Sequence, residues 1–143
     1  MRKLIFLLLM AATALLAQNA PAAKAKTLTR AELDQLLATP DKLLLIDVRR
    51  PDEISTNGGF PVYLSIQIGE LEKHLDAIPR DRVIVTVSNH AARGGKAADL
   101  LAAHGFNVAG AVGAETYEKE GGTLTRIQAP PKKPQTKPET GEK

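Results

Sequence analysis

Val83-Ile-Val-Thr-Val-Ser-Asn-His-Ala-Ala-Arg-Gly-Gly-Lys-Ala-Ala-Asp-Leu-Leu101 reads as a buried strand, a tight six-residue loop and a helix. Val83 to Val87 is a β-branched run whose one polar member is Thr86, which suits a strand covered on both faces in a parallel sheet. Lys96 to Ala103 is rich in Ala and Leu, as a packed helix is. Between them Ser88 to Arg93 has to reverse the chain. The backbone N–H groups from Asn89 to Gly94 are therefore expected to converge toward the positive end of the helix, a geometry that binds anions. The pair Gly94-Gly95 lets the helix start come close to the strand or to a ligand.

On either side of this unit, helical and strand patterns alternate. Thr29-Arg-Ala-Glu32 is a capping box that opens a short helix to about Ala38, with Leu33, Leu36 and Leu37 inward and Pro40-Asp41 as the stop. Lys42 to Val48 is a continuous apolar strand running into Asp47, Arg49 and Arg50. A carboxylate at that end of a strand is expected to bind loop backbone or pair with an arginine. Pro51-Asp52-Glu53 suits the first turn of a helix. Asn57 to Pro61 reads as a turn, Val62 to Gln67 as a partly exposed strand, and Glu70 to Ile78 as an amphipathic helix carrying Leu71, Leu75 and Ile78 inward. After the central helix, His104-Gly105 is a left-handed stop. Phe106 to Val112 is the last strand, and Ala114 to Glu120 a short helix closed by Gly121-Gly122. Such alternation implies right-handed crossovers and a three-layer α/β domain with a mainly parallel sheet. Ligands of such sheets sit beyond the strands' C-terminal ends, where Asp47 to Arg50 and Ser88 to Arg93 should meet.

A chain of 143 residues carries one domain. Residues 1–25 read as an export signal: Arg2 and Lys3, then an apolar run from Leu4 to Ala17, then small residues. That run is shorter than the roughly 20 residues of a membrane span, so no stable span is expected after cleavage, and the mature chain is expected in the periplasm or outside the cell. The domain is placed at 27–128. Residues 129–143, with PPKKPQTKPETGEK, read as a disordered tail, with contact to a cell wall or an anionic surface as its functional alternative. With no cysteine, neither a disulfide nor lipid attachment through a thiol can form. Two of the three net positive charges are Arg2 and Lys3, tryptophan is absent, and no basic run is interleaved with aromatics, which argues against nucleic-acid binding. His74, His90 and His104 are unclustered by spacing, so no metal site and no cofactor are expected.

Over roughly Thr27 to Gly122 the chain resembles a single-domain rhodanese-like protein. The matches are Leu43-Leu-Leu-Ile-Asp-Val-Arg49 followed by Pro51-Asp-Glu53, the Ile68-Gly-Glu-Leu-Glu-Lys-His-Leu75 helix, the Val83–Leu101 unit, and Val112-Gly-Ala-Glu-Thr-Tyr-Glu-Lys-Glu-Gly121. The family's loop begins with a cysteine, runs four more residues and reaches an arginine. The resemblance puts Ser88 at the cysteine position, Arg93 at the arginine position and Tyr117 at the place of a closing tryptophan. It implies a sulfurtransferase, in which the loop thiolate takes up a sulfane sulfur as a persulfide and passes it on. This chain departs from the pattern twice: it has no thiol, and Gly59-Phe60-Pro61 stands where the family has Gly-His-Ile.

A serine hydroxyl is too weak an acid to replace the thiolate unaided, and an oxygen analogue of the persulfide has no comparable exchange chemistry. The reading that survives is a binding loop, Ser88, Asn89, His90, Ala91, Ala92, Arg93 and Gly94, supported by Asp47, Arg49, Glu53 and Lys96. It would hold thiosulfate, sulfate or phosphate, or an unidentified exported protein, without a covalent step. Arg93 has a second expected role, bracing the loop by pairing with Glu53 or a carbonyl. The enzymatic alternatives are a sulfurtransferase that borrows a partner's thiol, and a hydrolase built on Ser88, His90 and Asp47.

Overall fold

The computed structural model describes residues 24–126. Apart from Lys24 and Ala25, the expected export signal lies outside the described residues, as does the expected tail. The chain runs α1 (Arg30–Leu37), β1 (Leu43–Asp47), α2 (Pro51–Asn57), β2 (Leu64–Ser65), a 3₁₀ helix (Leu71–Ala77), β3 (Val83–Ser88), α3 (Ala92–Ala103), β4 (Val108–Gly113) and α4 (Ala114–Lys119). The four strands form one sheet in the order β2-β1-β3-β4, and every pairing is parallel. This is the three-layer α/β architecture expected from the alternation of elements.

Period-two alternation along the strands divides the core into two faces. Leu45, Val85, Val87 and Val112 pack with Leu33 of α1 and Ala114 and Tyr117 of α4. Ile46 and Ile84 face the other way, onto Ala97 and Leu101 of α3 and Leu71 of the 3₁₀ helix. The capping box of α1 is formed, with Thr29 N donating to Glu32 Oε2 at 2.9 Å and Glu32 N to Thr29 Oγ1 at 3.3 Å.

Three elements differ from their sequence reading. The expected strand over Val62–Gln67 shortens to two residues. Pro61 has no N–H to donate and Val62 is 80% exposed, so pairing with β1 begins only at Leu64. The helix expected over Glu70–Ile78 is 3₁₀ rather than α. Its fixed points are Leu71 and Ile78, both buried in one cluster. Winding with about 2.0 Å rise per residue reaches farther between two anchors than the 1.5 Å of an α-helix. Finally, α3 starts at Ala92 and not at Lys96, so the connection from β3 is only Asn89 to Ala91.

The outer edge of β4 is covered by the segment before α1. Ala111 N donates to Lys26 O and Leu28 N to Ala111 O, both at 2.8 Å, making a parallel bridge between Thr27 and Ala111. Gly110 makes this approach feasible: its φ is +154°, and a Cβ there would lie 2.4 Å from Lys26 O. It also sits where the β3–β4 register slips by one residue, the signature of a bulge. Gly110→Ala should therefore destabilise the fold by about 2 kcal/mol or more, read as a fall in the urea midpoint at unchanged slope.

Candidate functional site

In a sheet ordered β2-β1-β3-β4, successive strands are added in opposite directions from the gap between β1 and β3. That switch point lies at the C-terminal ends of β1 and β3, where Asp47 to Arg49 and Ser88 stand side by side. Val48 N donates to Val87 O at 3.0 Å and carries the pairing one residue past β1. The sequence placed the two segments at one end of the sheet; the structure brings them into contact.

At this switch point lies a fully buried ion pair. Arg49 Nη2 lies 2.7 Å from Asp47 Oδ2, and Arg49 Nε 2.9 Å from Oδ1, with both side chains out of contact with solvent. Asp47 and Arg49 are two apart on one extended segment, so their side chains share a face. The guanidinium also donates to Gly58 O at 3.0 Å and, through Nη1, to Asn89 Oδ1 at 3.0 Å. Asn89 then uses its Nδ2 to donate to Glu53 Oε1 at 3.1 Å. Glu53 receives Arg93 in a two-pronged pair, Nη1 to Oε2 at 2.9 Å and Nη2 to Oε1 at 2.5 Å, together with Arg50 N at 3.0 Å. One continuous line of alternating partners thus runs Asp47, Arg49, Asn89, Glu53, Arg93. The bidentate Arg93 guanidinium holds the Glu53 carboxyl down to about 2, well below its ordinary value of 4.5.

The loop itself is shorter and more fully bonded than the sequence suggested. Ala91 adopts φ +65°, a left-handed residue leading into the right-handed turn at Ala92. Gly95 N donates to Ala91 O at 2.7 Å and closes the first turn of α3. Ser88 is 1% exposed, and its Oγ accepts from Gly94 N at 3.0 Å. Thr86 Oγ1 donates to Gly94 O at 2.7 Å, so β3 grips both ends of Gly94. A Cβ at Gly94 would meet Ala111 Cβ, Thr86 O and Ser88 Oγ at 3.3–3.4 Å, which accounts for a glycine here. The expected six-residue loop is thus shortened to the connection Asn89 to Ala91. Ala92, Arg93 and Gly94 are helical, and among the described residues one amide reaches the Ser88 hydroxyl.

The Ser88-His90-Asp47 arrangement does not form. The imidazole of His90 is 68% exposed and stands 3.6 Å from Glu115 Oε2, while both Asp47 oxygens accept from Arg49. Lys96 lies exposed on α3, three residues from Arg93 and on the same side of the helix. His74 lies in the 3₁₀ helix, His90 in the β3–α3 connection and His104 just after α3, and among the described residues no group of three or more His, Asp or Glu side chains gathers as metal ligands would. No helix among the described residues is long and apolar enough to cross a membrane. Tyr117 donates from its hydroxyl to Asp34 Oδ1 at 2.8 Å, joining α4 to α1. Burial, reinforced by that bond, raises the phenol above its usual range. Sequence reasoning grouped Arg49 with the site but did not name it as the buried partner of Asp47, and it missed Asn89 as the link between the two arginines. The i, i+2 spacing of Asp47 and Arg49 was the available signal for the first; nothing local marks the second.

No known family model matches the sequence, and none of the curated proteins does. Solved structures do match it. The rhodanese-related protein of Thermoplasma volcanium superposes with a TM-score of 0.62 at 23% identity, over 72% of this chain and 98% of its own. The rhodanese-like domain protein of Staphylococcus aureus gives 0.61 at 22% identity, over 72% of this chain and 99% of its own. The fold is rhodanese-like. The thiosulfate sulfurtransferase of Pseudomonas aeruginosa carries the same fold in part of a longer chain, with a TM-score of 0.58 at 23% identity over 73% of this chain and 21% of its own.

Two outcomes follow for the rhodanese-like domain. Arg49→Met leaves the Asp47 carboxylate buried without its partner and should cost about 3–5 kcal/mol of unfolding free energy, whereas Asp47→Leu combined with Arg49→Met should recover much of that loss. The Glu53–Arg93 pair stabilises the fold while Glu53 is ionised. Because its folded value is depressed, this stability is complete above the ordinary 4.5 and is lost as pH falls from there toward 2. Urea titrations in that window should show a steeper acid slope for the unaltered chain than for Glu53→Gln.

Proposed function

We propose that the chain is an exported rhodanese-fold binding module that holds a small oxyanion at the β3–α3 turn and performs no sulfur transfer of its own. The observation that carries this reading is the turn at Ala91, left-handed and leading straight into α3, in a chain of 143 residues without one thiol. A left-handed residue followed by a right-handed helical one turns successive N–H groups to the same side. The first N–H groups of a helix have no acceptor inside it; Gly94 N is taken by Ser88, which leaves those of Ala92 and Arg93 for a ligand. Arg93 spends two of its five N–H donors on Glu53 and Lys96 adds a second cation on the same helix. Thiosulfate, sulfate and phosphate are small oxyanions of the charge that such a helix start with nearby cations attracts.

In this reading Ser88 stands where a rhodanese carries its cysteine, and its hydroxyl serves as a helix anchor rather than a nucleophile. The hydrolase alternative lacks support, because the serine, histidine and carboxylate it needs are each engaged elsewhere. Arg2, Lys3 and the Leu4–Ala17 run support a place in the periplasm or outside the cell.

Thiosulfate:cyanide transfer by the purified protein should not exceed the reagent background, while millimolar thiosulfate or sulfate should raise Tm by several degrees through native-state binding. Arg93→Gln should remove that rise. Ser88→Cys should take up one sulfur atom from thiosulfate, visible as a mass gain on residue 88. Turnover that Ser88→Ala abolishes, or a Tm indifferent to both anions, overturns the proposal. Sulfur transfer that appears only with an added thiol protein would replace it with the partner-thiol mechanism.

A further inference from the structure

We propose that the proline-rich segment following Arg126 docks in an extended, polyproline-like conformation onto an apolar groove beside β2, on the same molecule. The groove has a volume of about 710 Å³ and none of its lining residues is charged. Its lining includes Leu37 and Leu43 together with the aromatic residues Phe60, Tyr63 and Tyr117. Val62, the large hydrophobic residue left exposed among the described residues, also lines it. Grooves walled by aromatic side chains are what proline-rich extended segments recognise, since a polyproline helix is stiff before it binds and presents apolar ring faces.

The chain leaves the described domain beside this groove. Thr123 lines it, and Thr125 exchanges two backbone hydrogen bonds with Gly59, at 2.7 and 2.9 Å. Gly59 precedes Phe60, and a Cβ on it would stand 3.8 Å from the Tyr63 ring. The Arg126 side chain pairs with Glu118 of α4. Three residues, Ile127-Gln128-Ala129, separate Arg126 from Pro130-Pro131-Lys132-Lys133-Pro134. At about 3.1 Å per residue, that proline-lysine stretch spans roughly 15 Å. Two acidic residues next to lining positions offer charge complementary to its lysines. Asp41 follows the lining residue Pro40, Asp76 precedes the lining residue Ala77, and both are exposed. A tether of this length holds the segment at an effective concentration of order millimolar, so contacts too weak to capture a separate peptide suffice in the same chain.

Because the chain has no cysteine, single thiols can be placed at will in the full-length protein. Val62→Cys combined with Pro131→Cys should form an intramolecular disulfide under mild oxidation at least about fivefold faster than Val62→Cys combined with Gly141→Cys. A further Pro130→Gly change should slow it severalfold without moving Tm. The uncharged fluorophore N-phenyl-1-naphthylamine should bind the otherwise unaltered chain weakly, and a chain with Pro130→Gly, Pro131→Gly and Pro134→Gly about fivefold more tightly. Equal disulfide rates at residues 131 and 141 overturn the proposal. So do disulfide-linked dimers in place of the internal bond, which assign the groove to a second copy, and fluorophore binding equal in both chains, which leaves the groove open to small apolar molecules.

Discussion

The buried pair of Asp47 and Arg49 is the constraint around which the site is built. An ion pair taken wholly out of water is favourable only when its remaining donors and acceptors are also satisfied. That requirement makes Arg49 an organiser: one donor goes to Gly58 at the end of α2, and another to Asn89 after β3. Segments far apart in sequence are thereby held to one guanidinium, whose position is set by the carboxylate two residues before it. Asn89 passes the order on to Glu53, and Glu53 to Arg93. The hand of the turn at Ala91 and the start of α3 rest on this frame and on the two hydrogen bonds by which β3 holds Gly94.

The same frame limits the chemistry available. Both arginines at the site face carboxylates, so the local field is largely balanced within the protein rather than left for a ligand. What remains directional is the backbone: the N–H groups opening α3, reached through a left-handed alanine. The transfer reaction of a thiosulfate sulfurtransferase belongs instead to an atom, a sulfur able to ionise and to carry a second sulfur. Ser88 offers an oxygen already bound to the Gly94 amide and shielded from solvent.

Much of the scaffold was legible in the chain alone. The run Lys42–Val48, the run Val83–Val87 and the Thr29–Glu32 capping box each carry their cause locally, in β-branched or apolar periodicity and in a hydroxyl three residues from a carboxylate. Where local cause was weak, the reading slipped. Val62–Gln67 alternates like a strand, but pairing depends on β1 lying alongside and on Pro61 lacking a donor. Leu71, Leu75 and Ile78 keep helical spacing, yet the winding is set by two anchors in the core that no window of sequence contains. Ala92 and Arg93 look like loop because two glycines follow, and become helix because Ser88 and Thr86 hold Gly94 in place.

What the amino-acid sequence determined by itself was the order and type of the elements, their parallel arrangement and the absence of a thiol, since all of these follow from residue identity and short-range periodicity. Only the tertiary structure decided that Arg49 is a buried hub, that Asn89 bridges two arginines, that Arg93 takes Glu53 rather than a carbonyl of the two expected partners, and that His90 turns away from Ser88. Those outcomes depend on which side chains can satisfy one another once water is excluded from the gap between β1 and β3. That condition exists only after strands distant in the chain have come together.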